Sequence, residues 1–267
     1  MPRANRYFVP GLVWHLTHRC HKREFLLKFA RDRSSYIRWL YEARKRFGLC
    51  VLDFMVTSNH VHVLVKDTAE GVIARSMQLA AGRSAQEYNH RKARPGAFWE
   101  DRYHATAIEV GAHLHRCVVY IDLNMVRAGV VRHPSEWPHS GYVEMQHPPA
   151  RYRVVDLAAL SELCGFGDVR EFQITHREWV EAALSSERLE REDRWTESIA
   201  VGSEGFVEQV KGELGFKAQN RKVAMVDGVY TLREPVQPYG HHFDRKNVAL
   251  RANNTIAWQT MLETTEN

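Results

Sequence analysis

Cysteine is scarce and unpaired in this chain. It accounts for four of 267 residues, and Cys20, Cys50, Cys117 and Cys164 are scattered with no C-x-x-C pair. That spacing argues against a disulfide framework or a thiolate metal site and fits reduced, mostly buried small residues. Long apolar runs are missing too: none approaches the roughly 18–20 residues needed to span a bilayer, and the opening MPRANRYFVPG has no signal-peptide core. A cytoplasmic, nucleoid-associated protein with no membrane partner is the expectation. No internal repeat or low-complexity tract breaks the chain, whose length suits one large or two modest domains.

Acidic residues are sparse in the first half. Residues 1–150 carry 22 Lys and Arg against 13 Asp and Glu, a balance of +9, whereas residues 151–267 carry 15 against 19, a balance of −4. The first half also holds 12 of the 15 histidines. A basic half rich in imidazole suits a binder of phosphate backbones, and the acidic half argues against a second large surface of that kind.

Hydrophobic periodicity places the elements. Leu12–His18, Cys50–Val56, His60–Val65 and Tyr103–Glu109 read as strands; Asp32–Phe47, closed by Gly48, Gly71–Arg91 and Gly111–Asn124 read as helices. The order β-α-β-β-α-β-α predicts an α+β fold, with helices against one face of a mostly antiparallel sheet and the other face left for substrate. Gln146-His147-Pro148-Pro149 reads as a linker between a domain at 1–145 and a mainly helical accessory region at 150–267. In that region, helices are expected at Asp156–Cys164, Arg177–Glu192 and Ser203–Leu214. A hairpin is expected at Val223–Val226 and Val229–Leu232 around Asp227-Gly228. The last twenty or so residues, including LRANNTIAW, have no assigned structure.

The chemistry concentrates in NHVHVLV and VVYIDLN. Side chains alternate along a strand, so His60, His62 and Leu64 face one way and Val61, Val63 and Val65 the other. Two neutral imidazoles on one face begin a divalent-metal site. Four residues apart on a helix, Tyr120 and Asn124 share a face and present a phenol beside an amide oxygen. A histidine pair, an oxygen ligand and a tyrosine are the parts of a metal-assisted nuclease that attacks phosphate with a phenolate. Read alone, an H-x-H strand is more often two polar residues on a half-solvated face, and a helical tyrosine more often a packing aromatic. Asp122 falls on a different face and reads as a solvated charge. Tyr88 and Tyr103 read as packing or DNA-contact residues, and His15, His18 and His21 diverge too much along a strand to form a cluster.

These motifs resemble those of the HUH single-tyrosine nucleases, in particular the IS200-like transposases and their branch associated with repetitive extragenic palindromes. The similarity runs in order through PGLVWHLTHR, TSNHVHVLV, EYNHRKARPGAFWEDRYH, YIDLNMVRAGVV and EWPHSGY, and more loosely through GSEGFVEQVKGELG. Two positions depart from the family pattern: Thr57-Ser58 replaces Met-Pro before Asn-His, and Met125 replaces the proline after Asn124. Met125 keeps a backbone N–H and would let the tyrosine helix continue.

The resemblance implies a ferredoxin-like HUH domain. It also implies cleavage and rejoining of single-stranded or hairpin DNA through a 5′-phosphotyrosine link to Tyr120, with Mg²⁺ or Mn²⁺ held by His60, His62 and Asn124. Imidazole suits Mn²⁺ better than Mg²⁺. No small-molecule cofactor is expected; a monomer is favoured, although relatives form dimers. Arg83, Arg91, Lys92 and Arg94, next to Phe98, Trp99 and Arg102, interleave cations with rings as single strands require, and Arg127 follows the tyrosine helix within reach of a phosphate. The alternatives are a catalytically silent hairpin-binding module and an RNA-directed regulator.

Overall fold

Val61, Val63 and Val65 are completely buried, and their strand lies inside a sheet that fixes everything around it. The computed structural model describes residue 9 and residues 11–186, 190–218 and 221–233. Its first elements are β1 (Val13–Arg19), α1 (Ala30–Phe47), β2 (Cys50–Val56), β3 (His60–Lys66), α2 (Val72–Lys92), β4 (His104–Ile108) and α3 (Ala112–Asp122). The four strands pair antiparallel in the order β2-β3-β1-β4, the ferredoxin-like arrangement. Gly48 ends α1 in the left-handed region at φ 72°, where glycine has no Cβ penalty, and its N–H donates to the Arg44 carbonyl.

Helices cover both faces of the sheet, not one. His18 stacks on Trp99 with ring centroids 4.1 Å apart; Trp99 also meets Tyr36 of α1, and its indole N–H donates to the Ala81 carbonyl of α2 at 2.9 Å. α1 and α2 therefore lie on the side to which His18 points. α3 lies on the opposite, imidazole side, with the Tyr120 ring 6.3 Å from those of both His15 and His62. The sheet's polar face is thus only partly open to substrate.

After α3 a single irregular residue, Leu123 (φ −81°, ψ 5°), precedes the turn α4 (Asn124–Arg127). The path continues as Met125 permits, with the Arg127 N–H donating to the Leu123 carbonyl at 2.9 Å. Then follow α5 (Gly141–Gln146), α6 (Leu157–Leu163), α7 (Val169–Ser185), α8 (Arg194–Glu197), β5 (Ser198–Gly202), α9 (Glu204–Leu214), β6 (Lys222–Val226) and β7 (Val229–Arg233).

The expected division at 145–150 is not a break in packing. β5 pairs parallel to β4, and β7 and β6 continue the same sheet, which has seven strands in the order β2-β3-β1-β4-β5-β7-β6. All described residues fall within one compact unit. Within the expected linker Gln146 is buried, and its amide donates to the Gln173 carbonyl at 3.1 Å. The helix expected at Arg177–Glu192 is instead α7, shifted towards the N-terminus because the Asp168 side chain caps it, accepting from the Arg170 N–H at 2.8 Å. Strand β5 is too short and too evenly buried to show a period in the sequence. The hairpin forms as expected, Asp227 and Gly228 both taking positive φ (51° and 73°) as its two-residue turn requires. The LRANNTIAW segment lies outside the described residues.

Asp122 is not a solvated charge. It is fully buried, and one of its oxygens accepts from His176 Nε2 at 2.8 Å, while His176 Nδ1 accepts from the Gln146 amide at 3.1 Å. Across from it, Asp53 on β2 is also fully buried, held on one oxygen by the Phe54 N–H at 2.7 Å. Burial, then the proximity of Asp122, pushes the Asp53 carboxyl well above the ordinary value of 3.8. α5 begins against this carboxylate at Gly141. A Cβ there would press into Asp53 Oδ1 and come within 3.0 Å of the Phe54 backbone nitrogen.

Two outcomes follow for stability. Gly141→Ala should lower it by about 1–3 kcal/mol through overpacking, measured by denaturant unfolding. Because its folded-state pKa is raised, Asp53 contributes most stability below pH 3.8, and that contribution is lost as pH rises through the raised value. Asp53→Asn should therefore raise the melting temperature at about pH 8 and change it little near pH 4. An equal loss at both would contradict this account.

Candidate active site

Strand register builds the site. Across the β1–β3 ladder Arg19 faces His60, Thr17 faces His62 and His15 faces Leu64, so all six side chains project to one side. α3 and α4 bring Tyr120, Asn124 and Arg127 over that side. The result is a cleft of about 320 Å³ lined by Thr17, Arg19, His60, His62, Tyr120, Asn124 and Arg127, among others.

Both imidazoles are oriented through Nδ1. The Thr57 hydroxyl donates to the His60 carbonyl at 2.8 Å, so towards His60 Nδ1, 2.9 Å away, it accepts. Asn59 Oδ1 is a second acceptor at 2.7 Å. Nδ1 of His60 therefore carries the proton, and Nε2 keeps its lone pair. His62 Nδ1 lies 2.8 Å from His15 Nε2, and its Nε2 lies 3.1 Å from the Asn124 amide nitrogen. The two rings stand edge to face, 4.9 Å apart. Burial, aided by Arg19, lowers the His60 pKa to about 4, and burial, aided by the neighbouring His60, drives that of His62 well below 6.5. Among the described residues no group of three or more His, Cys, Asp or Glu is placed to hold an ion; the donor set here is two imidazoles and an amide.

Tyr120 is 5 % exposed. Burial raises its phenol pKa, and Arg127 and then Arg191 oppose that rise. The Arg127 guanidinium sits 4.0 Å above the Tyr120 ring and donates to the Tyr120 carbonyl at 2.6 Å. The helical turn thus carries its own cation against the phenol, a partly buried arrangement in which a charge interaction is weakly screened.

Of the remaining expected DNA contacts, none lines this cleft. Arg83 lies over Trp39 at 5.2 Å, and Arg91 is ion-paired with Asp32. Lys92 sits 5.5 Å over Phe29, and Arg94 pairs with Glu24 at 3.2 Å. Trp99 has one face covered by His18, and Arg102 is exposed at the start of β4's approach. Apart from Arg83, midway along α2, these residues gather around the end of α2 and the loop before β4. The residues not foreseen are His15, Thr17, Arg19 and Thr57, together with Arg23 and Arg191 at the rim. Period-2 alternation in WHLTHR, paired antiparallel with HVH, is the signal for the first three.

With a folded-state pKa of about 4, His60 should remain neutral from pH 6 to 8. Nitrogen-15 spectra of its imidazole should show the Nδ1–H tautomer throughout that range; a titration midpoint above pH 6 would overturn the geometry given for it.

Comparisons with known proteins give a family match and similar solved structures. The chain matches the family described as "Transposase IS200 like" over residues 8–124, which run from before β1 through Asn124. No curated protein matches. Among solved structures, the chain is similar to a REP-associated tyrosine transposase bound to a REP hairpin, with 19 % identity, 63 % of this chain and 93 % of that one covered, and a TM-score of 0.47. It is also similar to a protein from Deinococcus radiodurans R1, with 20 % identity, 39 % of this chain and 83 % of that one covered, and a TM-score of 0.31. The matched stretch, residues 8–124, contains the histidine pair, the tyrosine and the asparagine.

Proposed function

We propose that this protein cuts and rejoins single-stranded or hairpin DNA through Tyr120. The observation that carries the reading is the convergence of His60, His62, Tyr120, Asn124 and Arg127, drawn from one strand and one helical segment, on a single cleft. In the reaction, the Tyr120 oxygen attacks a backbone phosphorus. The Tyr–O–P bond forms as the P–O3′ bond breaks, the phenol proton is given up, and the departing oxygen takes a proton to become a 3′-hydroxyl. The 5′-phosphotyrosine conserves the bond, so a 3′-hydroxyl of another strand can reverse the step and restore the tyrosine.

Nδ1 of each imidazole is engaged with protein atoms, which leaves Nε2 of each for the cleft. The Asn124 amide beside His62 can present its oxygen by a half-turn. These residues fit a divalent cation: His60, His62 and Asn124 would hold Mg²⁺ or Mn²⁺, which would supply Lewis-acid polarisation of the phosphate. Arg127 draws the phenol towards its ionised form and offers charge to the phosphate that the phenolate attacks. Arg19, Arg23 and Arg191 at the cleft give the incoming backbone a cationic approach. The exposed rings of Phe25 (65 %) and Phe29 (55 %), on the loop that carries Arg23, suit unpaired bases. Thr57 anchors His60 in a turn where the family usually has Met-Pro. One chain supplies both histidines and the tyrosine to the same cleft, which supports action as a monomer. Among the described residues no helix is long and apolar enough to cross a membrane.

A denaturing gel with a 5′-labelled, hairpin-rich single-stranded library tests the reading. Wild type with Mn²⁺ or Mg²⁺ should cleave and form a covalent protein–DNA band. Tyr120→Phe should lose that band and at least about a thousandfold in rate, and Arg127→Ala about a hundredfold. Tight hairpin binding without cleavage by wild type in either metal would instead identify a binding module.

A further inference from the structure

His15 is fully buried in the middle of β1, between β3 and β4. Its ring is nearly parallel to that of His62, with centroids 5.0 Å apart and an interplanar angle of 16°. Its Nδ1 lies 2.8 Å from the backbone carbonyl of Trp195, 180 residues away in the sequence, and its Nε2 lies 2.8 Å from His62 Nδ1. A carbonyl oxygen only accepts, so the proton on this side belongs to His15 Nδ1. Neither of these partners is a carboxylate, and a fully buried imidazolium without a counter-ion is strongly disfavoured. His15 is therefore the neutral Nδ1–H tautomer, and its Nε2 must accept. The donor facing it is His62 Nδ1–H, which leaves His62 Nε2 unprotonated and directed at Asn124 in the cleft.

We propose that the Trp195 carbonyl and His15 form a positioning relay that fixes His62 in the Nδ1–H tautomer, so that the segment after residue 150 completes the active site. The carbonyl is held in place independently of His15. The Trp195 side chain is 1 % exposed and packs 6.1 Å from the Tyr120 ring. The Thr106 hydroxyl of β4 lies between the Trp195 and Ser198 carbonyls, at 3.3 and 2.7 Å. β5 begins at Ser198 and runs parallel to β4, so the sheet extension sets the height at which the carbonyl meets His15. Thus α8 and β5 do for His62 what Thr57 and Asn59 do for His60: both rings are gripped at Nδ1 and offered at Nε2. Outer partners of this type orient a ligating imidazole and raise its basicity. His15 is a positioning residue; it reaches the cleft only through His62.

The consequence for metal binding rests on the proposed function, but the tautomer does not. Nitrogen-15 long-range spectra of the full-length protein, metal-free at neutral pH, read the His62 tautomer directly. Wild type should show Nδ1–H. His15→Gln, whose amide oxygen can accept from His62 while its nitrogen donates to Trp195, should keep it. His15→Leu should release His62 into a tautomer mixture. Mn²⁺ affinity, followed by electron paramagnetic resonance of the free ion, should fall about 10- to 100-fold in His15→Leu and recover in His15→Gln. An Nε2–H tautomer for His62 in wild type overturns the relay even if the leucine variant fails to fold. An unchanged tautomer in a folded His15→Leu protein overturns it as well. If wild type binds no Mn²⁺ and forms no DNA adduct while the tautomers behave as stated, the catalytic reading fails and the relay stands as an element of structure.

Discussion

The antiparallel register between β1 and β3 is the constraint on which the rest depends. It sets Arg19 against His60 and Thr17 against His62, and so decides that the imidazoles share a face with His15 and not with His18. A slip of one residue would exchange the faces, sending the valines of β3 into the cleft and the imidazoles under α1 and α2. The three buried valines of β3 guard against that slip, because burial of each aliphatic side chain is worth about 1.5–3 kcal/mol. The hydrophobic core therefore pins the geometry of the cleft.

Around that register the chain arranges two kinds of polar burial. On one side of α3, Tyr120 shares a cleft with Arg127 and the imidazoles; on the other, Asp122 is tied to His176 and crowded by Asp53. One short helix thus carries a cleft-lining tyrosine on one face and a buried carboxylate on another. The carboxylate's hydrogen bond to α7 and its neighbourhood with β2 hold the helix in rotation about its axis. Buried polar groups are costly unless paired, and here they make the angular setting of the tyrosine a property of the whole packing.

The segment after residue 150 belongs to the same structure. Its strands extend the sheet beyond β4, its helix α7 braces α3, and the Trp195 carbonyl reaches the centre of β1. The acidic balance of this segment therefore coexists with a direct role in shaping a basic site. Arg191, which lies in it, lines the cleft and draws the Tyr120 phenol downward.

The sequence by itself determined the ferredoxin-like strand and helix order, the Asp227-Gly228 hairpin, the Gly48 stop and the pairing of His60 with His62 and of Tyr120 with Asn124. Each of these is written in a period of two or 3.6, or in a residue whose allowed dihedrals define a turn, so a short window suffices. Only the tertiary structure decided that α3 covers the imidazole face, that Asp122 is buried, that β5 joins β4 and that His15 bridges His62 to Trp195. Those facts depend on which distant segments share a neighbourhood. Helical spacing shows that Asp122 leaves the face of Tyr120, but not whether water or His176 waits there. A lone histidine in a strand has no pattern that reveals a carbonyl 180 residues away. Contacts of that kind are set by packing, and the chain must close on itself before they exist.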